Sequence, residues 1–139
     1  MPRLSIWMVR AALLHLGLGF SAGGILLFDK GIALNASVWR LWPVHVELAL
    51  FGWTLQLAMG VAFWILPRLQ RSDRFGRTRL AWLAFGLINL GVLLVAAGAW
   101  WDLGTWVSLV GRSAELLAVA SFAVYIWPRV KWFGPSERQ

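Results

Sequence analysis

The sequence predicts an all-α integral membrane protein, a four-helix bundle with up-down-up-down topology. Three observations support this prediction: 60% of the 139 residues are apolar and 14% charged, the apolar residues fall into four long runs, and most cations lie between the runs. Soluble domains contain roughly 45–50% apolar and about 25% charged residues. The absence of cysteine excludes disulfides, thiolate zinc sites and iron–sulfur clusters. The length corresponds to a single domain, residues 1–139.

Each apolar run is long enough to cross a hydrocarbon core about 30 Å thick, which takes roughly 20 helical residues. None of the runs alternates with a period of two, so helices are predicted rather than the strands of a barrel. The first run is too long and too polar at its flanks for a simple cleaved signal peptide, and we expect it to be retained and to begin about a turn before Ala11. The predicted spans are residues 11–28, 44–66, 80–100 and 106–127.

The lysines and arginines predict the orientation, because cytoplasmic connections are enriched in them. Ten of them precede the first span, lie between spans two and three, or follow span four, whereas only Lys30 and Arg40 occupy the remaining connections. Both termini are therefore expected to face the cytoplasm, in a multi-pass protein of the inner (plasma) membrane surrounded by lipid. The distribution of these cations between spans argues against nucleic acid as a partner, despite a net charge of +7.

Residues 29–42 belong to the longest connection between predicted spans. This connection includes the segment Trp39-Arg40-Leu41-Trp42, in which two indoles flank a cation. Trp side chains favour the membrane–water interface. The segment is therefore interpreted as a short interfacial helix lying on the outer surface of the bilayer.

Ionisable residues inside a span are costly and are candidates for function. Arg112 and Glu115 are three residues apart on one helix face, so they can pair with each other. The alternative is that Glu47 joins them across helices and forms a buried polar cluster. Uncharged Gln56 and Asn89 are interpreted as hydrogen bonds between packed helices. The inner half of the spans contains too few polar residues to predict proton pumping.

The two histidines, His15 and His45, are the candidate cofactor ligands. His45 stands at the start of the predicted second span. Its expected lining is Trp42 and Pro43 before it and Leu48, Phe51, Gly52 and Trp53 on following turns. His15 lies about thirteen residues from the outer end of its predicted helix, roughly 20 Å deep. Because His45 is then near the surface, the two make a poor pair for one haem within a chain. A two-fold dimer would place two copies of His45 at equal depth.

Residues 44–53 (VHVELALFGW) and 59–67 (MGVAFWILP) resemble the second transmembrane helix of the haem–copper oxidase catalytic subunit superfamily, most closely its nitric oxide reductase branch. The resemblance covers residues 7–68. It implies that His45 is an axial ligand of low-spin haem b. Two histidines are too few for the family's binuclear centre, so a self-sufficient oxidase or reductase is excluded and any enzymatic activity stays undecided. The resemblance therefore implies a short relative that holds one haem or none.

Three functional hypotheses follow. The first is a haem b protein for electron transfer or haem handling, with His45 binding the haem iron. The second is a haem-free accessory or assembly subunit of a terminal oxidase or nitric oxide reductase complex. The third, a small transporter, rests on buried Glu115 and Arg112, but the predicted spans lack the interrupted helices of many transporters. A small bundle buries little surface, so a homo-oligomer is expected in each case.

Overall fold

The computed structural model describes residues 1–33, 35–66 and 78–130, and nearly all of these residues are helical. Four helices are long and apolar enough to cross a membrane, which confirms the predicted number and class of the spans. They are α1 (Arg3–Ile32), a composite second span (Ala36–Ile65), α4 (Thr78–Trp101) and α5 (Thr105–Val130). The second span consists of a 3₁₀ turn (Ala36–Arg40), α2 (Leu41–Glu47), a π-helix (Leu48–Leu55) and α3 (Gln56–Ile65).

The outside of the bundle is covered by large apolar side chains. Leu14, Leu27 and Leu116 expose 70%, 72% and 73% of their surface, and similar residues occur along all four helices. A soluble monomer rarely exposes so large an apolar surface, whereas lipid tails solvate it well. The chain is therefore a membrane protein.

The second span begins eight residues before its predicted start, at Ala36. Residues 39–42, predicted to be a separate short helix, instead form part of the first turns of the second span. A carboxylate oxygen of Asp29 accepts the backbone N–H of Asn35 at 3.1 Å, and the Asn35 side chain accepts the N–H of Ser37 at 2.9 Å. These caps start the new helix soon after α1 ends at Ile32, so the predicted long connection is short.

The π-helix changes which residues of the second span face the protein. Glu47 and Gln56 flank it, nine residues apart. In an α-helix with about 3.6 residues per turn they would lie on opposite sides. In a π-helix each backbone N–H bonds the carbonyl of the fifth residue before it, which gives about 4.4 residues per turn. This wider winding returns Glu47 and Gln56 to one side of the helix. Accordingly, the exposed fractions of Glu47 and Gln56 are 1% and 0%.

Three hydrogen bonds from side chains to helix carbonyls join α1 to the second span. Their partners occur in opposite order along the two helices. Each bond approaches the backbone of a glycine, where the missing side chain allows close contact. The pairs are Ser5 with Gly60, His15 with Gly52, and His45 with Gly19.

By contrast, α4 and α5 pack through bare backbone. A Cβ on Gly91 would lie 2.8 Å from the carbonyl oxygen of Gly111, and a Cβ on Gly111 would lie 3.0 Å from that of Gly91. Only glycine allows this approach. The connection between the helices is tight, with Asp102 and Gly104 at positive φ.

The two helix pairs meet in one apolar core. Phe63 of the second span stacks on Tyr125 of α5 with ring centroids 5.5 Å apart, and Arg129 donates a hydrogen bond to the Tyr125 hydroxyl. The core residues are Leu4, Met8, Met59, Phe63, Ala81, Ala84, Phe122 and Tyr125. Six of the ten cations used to predict orientation belong to residues 67–77 and 131–139, which lie outside the described residues.

Candidate functional site

Arg112 on α5 binds two carboxylates at once. Its Nη2 lies 2.6 Å from Oε2 of Glu47 on the second span, and its Nη1 donates to Oε2 of Glu115 at 2.8 Å. The pairing within α5 and the pairing across helices were alternatives in the sequence, and the structure contains both. We call Glu47, Arg112 and Glu115 the charged cluster.

Local packing explains why the charged cluster fits between the helices. The Glu115 side chain crosses α4 at Gly91, where a Cβ would lie only 2.6 Å from Glu115 Cγ. The guanidinium of Arg112 lies over the Phe51 ring, 4.9 Å from its centroid. The side chain of Arg112 is 45% exposed, whereas those of Glu47 and Glu115 are 1% and 3% exposed. The arginine therefore covers two carboxylates that are almost fully buried.

The charged cluster holds two carboxylates for one guanidinium. The second oxygen of each carboxylate, Oε1 of Glu47 and of Glu115, is buried without a hydrogen-bond partner. Unpaired charge in a low-dielectric span is unfavourable, and such groups occur mainly where function retains them. The charged cluster is neutral when one of the two carboxylates holds a proton.

His45 lies in the groove between the second span and α1. Its Nδ1 is 2.7 Å from the carbonyl oxygen of Gly19. The ring rests against Gly23, where a Cβ would lie 2.7 Å from Cε1. Because a carbonyl oxygen only accepts, Nδ1 carries the proton and Nε2 is the nitrogen with a lone pair. This is the tautomer and the backbone contact that metal-binding histidines commonly have.

The expected lining of His45 is wrong for three of its residues. Phe51 lies against Arg112, Gly52 lies against His15, and Trp53 packs edge-on against Phe20 at 6.0 Å. In an α-helix Gly52, seven residues after His45, would lie on the same side as His45, and the π winding turns it away. Of the neighbours expected from the sequence, Trp42 has its ring 6.3 Å from that of His45.

His15 is buried deeper in the same interface and is more tightly enclosed. Its Nδ1 is 3.1 Å from the carbonyl oxygen of Gly52, and its ring also interacts with the side chain of Gln56. Gln56 in turn donates a 3.4 Å hydrogen bond to Asn89 on α4. His15 thus begins a polar chain across three helices. With only 6% of its surface exposed and packed against Gly52, it does not fit a haem ligand.

The depth difference between the histidines is smaller than predicted. His45 lies opposite Gly19 and Gly23, which are four and eight residues from His15 along α1. At 1.5 Å per residue this is about 6–12 Å along the helix. The prediction placed His45 near the surface because it started the second span at residue 44. The prediction that His15 and His45 make a poor pair of ligands for one haem is unchanged. Each ring is held at its own place by a hydrogen bond to a carbonyl of the other helix.

His45 and the charged cluster lie on different sides of the second span. His45 contacts α1, whereas Glu47, two residues later, contacts Arg112 on α5. The sequence also gave no reason to single out Ser5, whose hydroxyl donates to the Gly60 carbonyl at 2.8 Å. Only the pairing of small and polar residues on two different helices reveals that contact.

Comparisons with known proteins add no relative: no family model, curated protein or solved structure matches the chain. Within the described residues, no group of three or more His, Asp or Glu side chains is placed to hold a metal ion. A haem iron differs from such a site because its porphyrin supplies most of the ligands and the protein supplies axial ones. His45 can serve as an axial ligand, and each chain has one such histidine.

Proposed function

We propose that this chain is a small membrane subunit that binds haem b through Nε2 of His45, for electron transfer or haem handling in respiration. The observation that supports it is the 2.7 Å contact between Nδ1 of His45 and the Gly19 carbonyl. This contact fixes the tautomer and holds the ring, so Nε2 is the nitrogen available to iron. When bound, the haem supplies one-electron chemistry.

The proposal requires a second chain, because low-spin haem takes two axial ligands. His15 is enclosed by Gly52 and Gln56, so the second imidazole comes from elsewhere. We propose a homo-oligomer in which a two-fold axis brings His45 of two copies to the same haem. A respiratory oxidase or nitric oxide reductase complex is the alternative source of the second ligand.

We further propose an up-down-up-down bundle in the inner (plasma) membrane with both termini in the cytoplasm. The opposite order of the contacts between α1 and the second span supports antiparallel neighbours. The short connections at residues 33–35 and 102–104 favour the same arrangement. The orientation itself rests on the ten cations assigned to one side of the membrane.

A second function is favoured by a different observation. Both imidazoles donate to helix carbonyls and rest against glycines, so both serve helix packing even without a cofactor. A haem-free accessory or assembly subunit of a respiratory complex would retain them for that reason alone. In this function the contact of His45 with the Gly19 carbonyl of α1 only joins the two helices.

Haem titration of the purified protein and two variants distinguishes the two functions. We expect haem binding to be lost in His45→Ala and retained in His15→Gln, because only His45 presents Nε2 to a ligand. Folding is monitored by helical circular dichroism, which should be the same in all three proteins. Equal haem binding by wild type and His45→Ala would remove His45 as the ligand. Absence of binding in every form would favour the accessory subunit.

A further inference from the structure

The π-helix of the second span is held from both ends. At its C-terminal end, Gln56 is buried and donates a hydrogen bond to Asn89. One turn further on, the Gly60 carbonyl accepts a hydrogen bond from the Ser5 hydroxyl. At its N-terminal end, Glu47 forms an ion pair with Arg112. A π-helix is much rarer than an α-helix and survives where its surroundings determine it. The two ends therefore fix a winding that the segment would not adopt by itself.

The consequence of relaxing this winding follows from the helix geometry. If Leu48–Leu55 became α-helical while α3 stayed in place, Glu47 would rotate about the helix axis by roughly 180° relative to Gln56. The carboxylate of Glu47 would then leave α5. His45 belongs to the same rigid turn, so its ring would leave Gly19 and Gly23.

We propose that Glu47 is a positioning residue for His45: its ion pair with Arg112 holds the π winding, and this winding keeps the His45 ring in the groove of α1. Only the effect on bound haem rests on the proposed function. The coupling between the charged cluster and the groove is a property of the apoprotein and is measurable without a cofactor.

Glu47 is a suitable position for a test because its removal leaves no orphan charge. In Glu47→Leu, Arg112 keeps its 2.8 Å hydrogen bond to Glu115, so the remaining pair is neutral. Glu115→Leu is the matched control, since it removes the other buried carboxylate and leaves the bond between Arg112 and the second span. Both variants change one buried Glu to the same residue, but only one releases the second span.

The readout is disulfide formation in a chain that has no native cysteine. Cysteines at Gly19 and Leu48 report on the outer part of the groove, where a Cβ on Gly19 would lie 3.2 Å from Leu48 Cβ. Cysteines at Gly98 and Val107 report on α4 and α5, with a corresponding distance of 3.7 Å. Both distances approach the usual Cβ separation of disulfides, about 3.8 Å.

We expect Glu47→Leu to slow cross-linking of the 19–48 pair roughly tenfold or more and to leave the 98–107 pair unchanged, because breaking a buried pair outweighs a strained winding. Glu115→Leu should leave both pairs unchanged. Deletion of exposed Leu50 leaves positions 47 and 56 eight residues apart, which on an α-helix is roughly 80° around the axis instead of roughly 180°, so it should restore much of the cross-linking in the Glu47→Leu background.

Equal 19–48 cross-linking in wild type and Glu47→Leu would overturn the proposal. So would equal loss of both cysteine pairs, or failure of the Leu50 deletion to restore the 19–48 pair, because a general folding defect has these signatures. If haem binds, its electron paramagnetic resonance spectrum should change in Glu47→Leu and recover with the deletion. If no haem binds, the cross-linking experiment still tests the coupling between Glu47 and the groove of α1.

Discussion

The two helix hairpins of this bundle are held together in different ways. The hairpin of α1 and the second span is joined by three hydrogen bonds from Ser5, His15 and His45 to helix carbonyls. The hairpin of α4 and α5 is joined by direct backbone contact at Gly91 and Gly111. The first hairpin thus contains both histidines, while the close contact within the second depends on glycine backbone.

The charged cluster is where the two hairpins depend on each other. Arg112 and Glu115 belong to the second hairpin, and Glu47 belongs to the first. Apolar contacts alone specify helix partners weakly in a membrane, because lipid tails solvate the same side chains. A charged contact between hairpins instead selects one arrangement.

The largest effect is expected from Arg112→Leu, which leaves two buried carboxylates without a counter-charge. Removing one partner of a buried ion pair typically costs about 3–5 kcal/mol of the free energy of unfolding. We expect a loss of this size in an unfolding titration from mixed micelles with increasing SDS. The triple variant Glu47→Leu/Arg112→Leu/Glu115→Leu, which leaves no orphan charge, should recover most of it. A triple variant as unstable as the single one would show that the charges themselves were not responsible.

The next largest effect concerns the glycine contact of the second hairpin. In Gly91→Ala the new Cβ would lie 2.6 Å from Glu115 Cγ and 2.8 Å from the Gly111 carbonyl oxygen, and the latter is backbone. Overpacking of this kind costs about 1–3 kcal/mol, measured by the same unfolding titration.

Gly86→Ala on the same helix is the matched control, because nothing lies within 4 Å of its added Cβ. Alanine there should raise stability by about 0.5–1 kcal/mol through its better helix propensity. If the two alanine variants were equally stable, the close contact between α4 and α5 would be refuted.

The smallest effect is expected from Ser5→Ala, which removes the 2.8 Å hydrogen bond to Gly60. Side-chain hydrogen bonds between membrane helices contribute about 0.6 kcal/mol on average. Ser113→Ala is the control, since the Ser113 hydroxyl bonds Leu109 within its own exposed helix turn. We expect a measurable loss only for Ser5→Ala. A larger loss for Ser113→Ala would contradict the view that bonds between helices hold the first hairpin.

Much of the fold could be predicted from the sequence, because apolar length and the absence of period-two alternation specify membrane helices. The start of the second span could not be predicted, since Trp39, Arg40 and Pro43 are typical of a connection and the Asp29 and Asn35 caps depend on folded geometry. The π-helix left no hydropathy signal. As a result, the surroundings of His45 were predicted incorrectly, although His45, Glu47, Arg112 and Glu115 themselves were identified.

The most direct test of the central proposal is an absorption spectrum of the detergent-purified wild-type protein, air-oxidised and then reduced with dithionite, after expression with ample haem. Low-spin haem b held by His45 predicts a Soret band that sharpens on reduction, with resolved α and β bands. A visible region without absorption in both states would contradict the haem proposal and leave the haem-free accessory subunit.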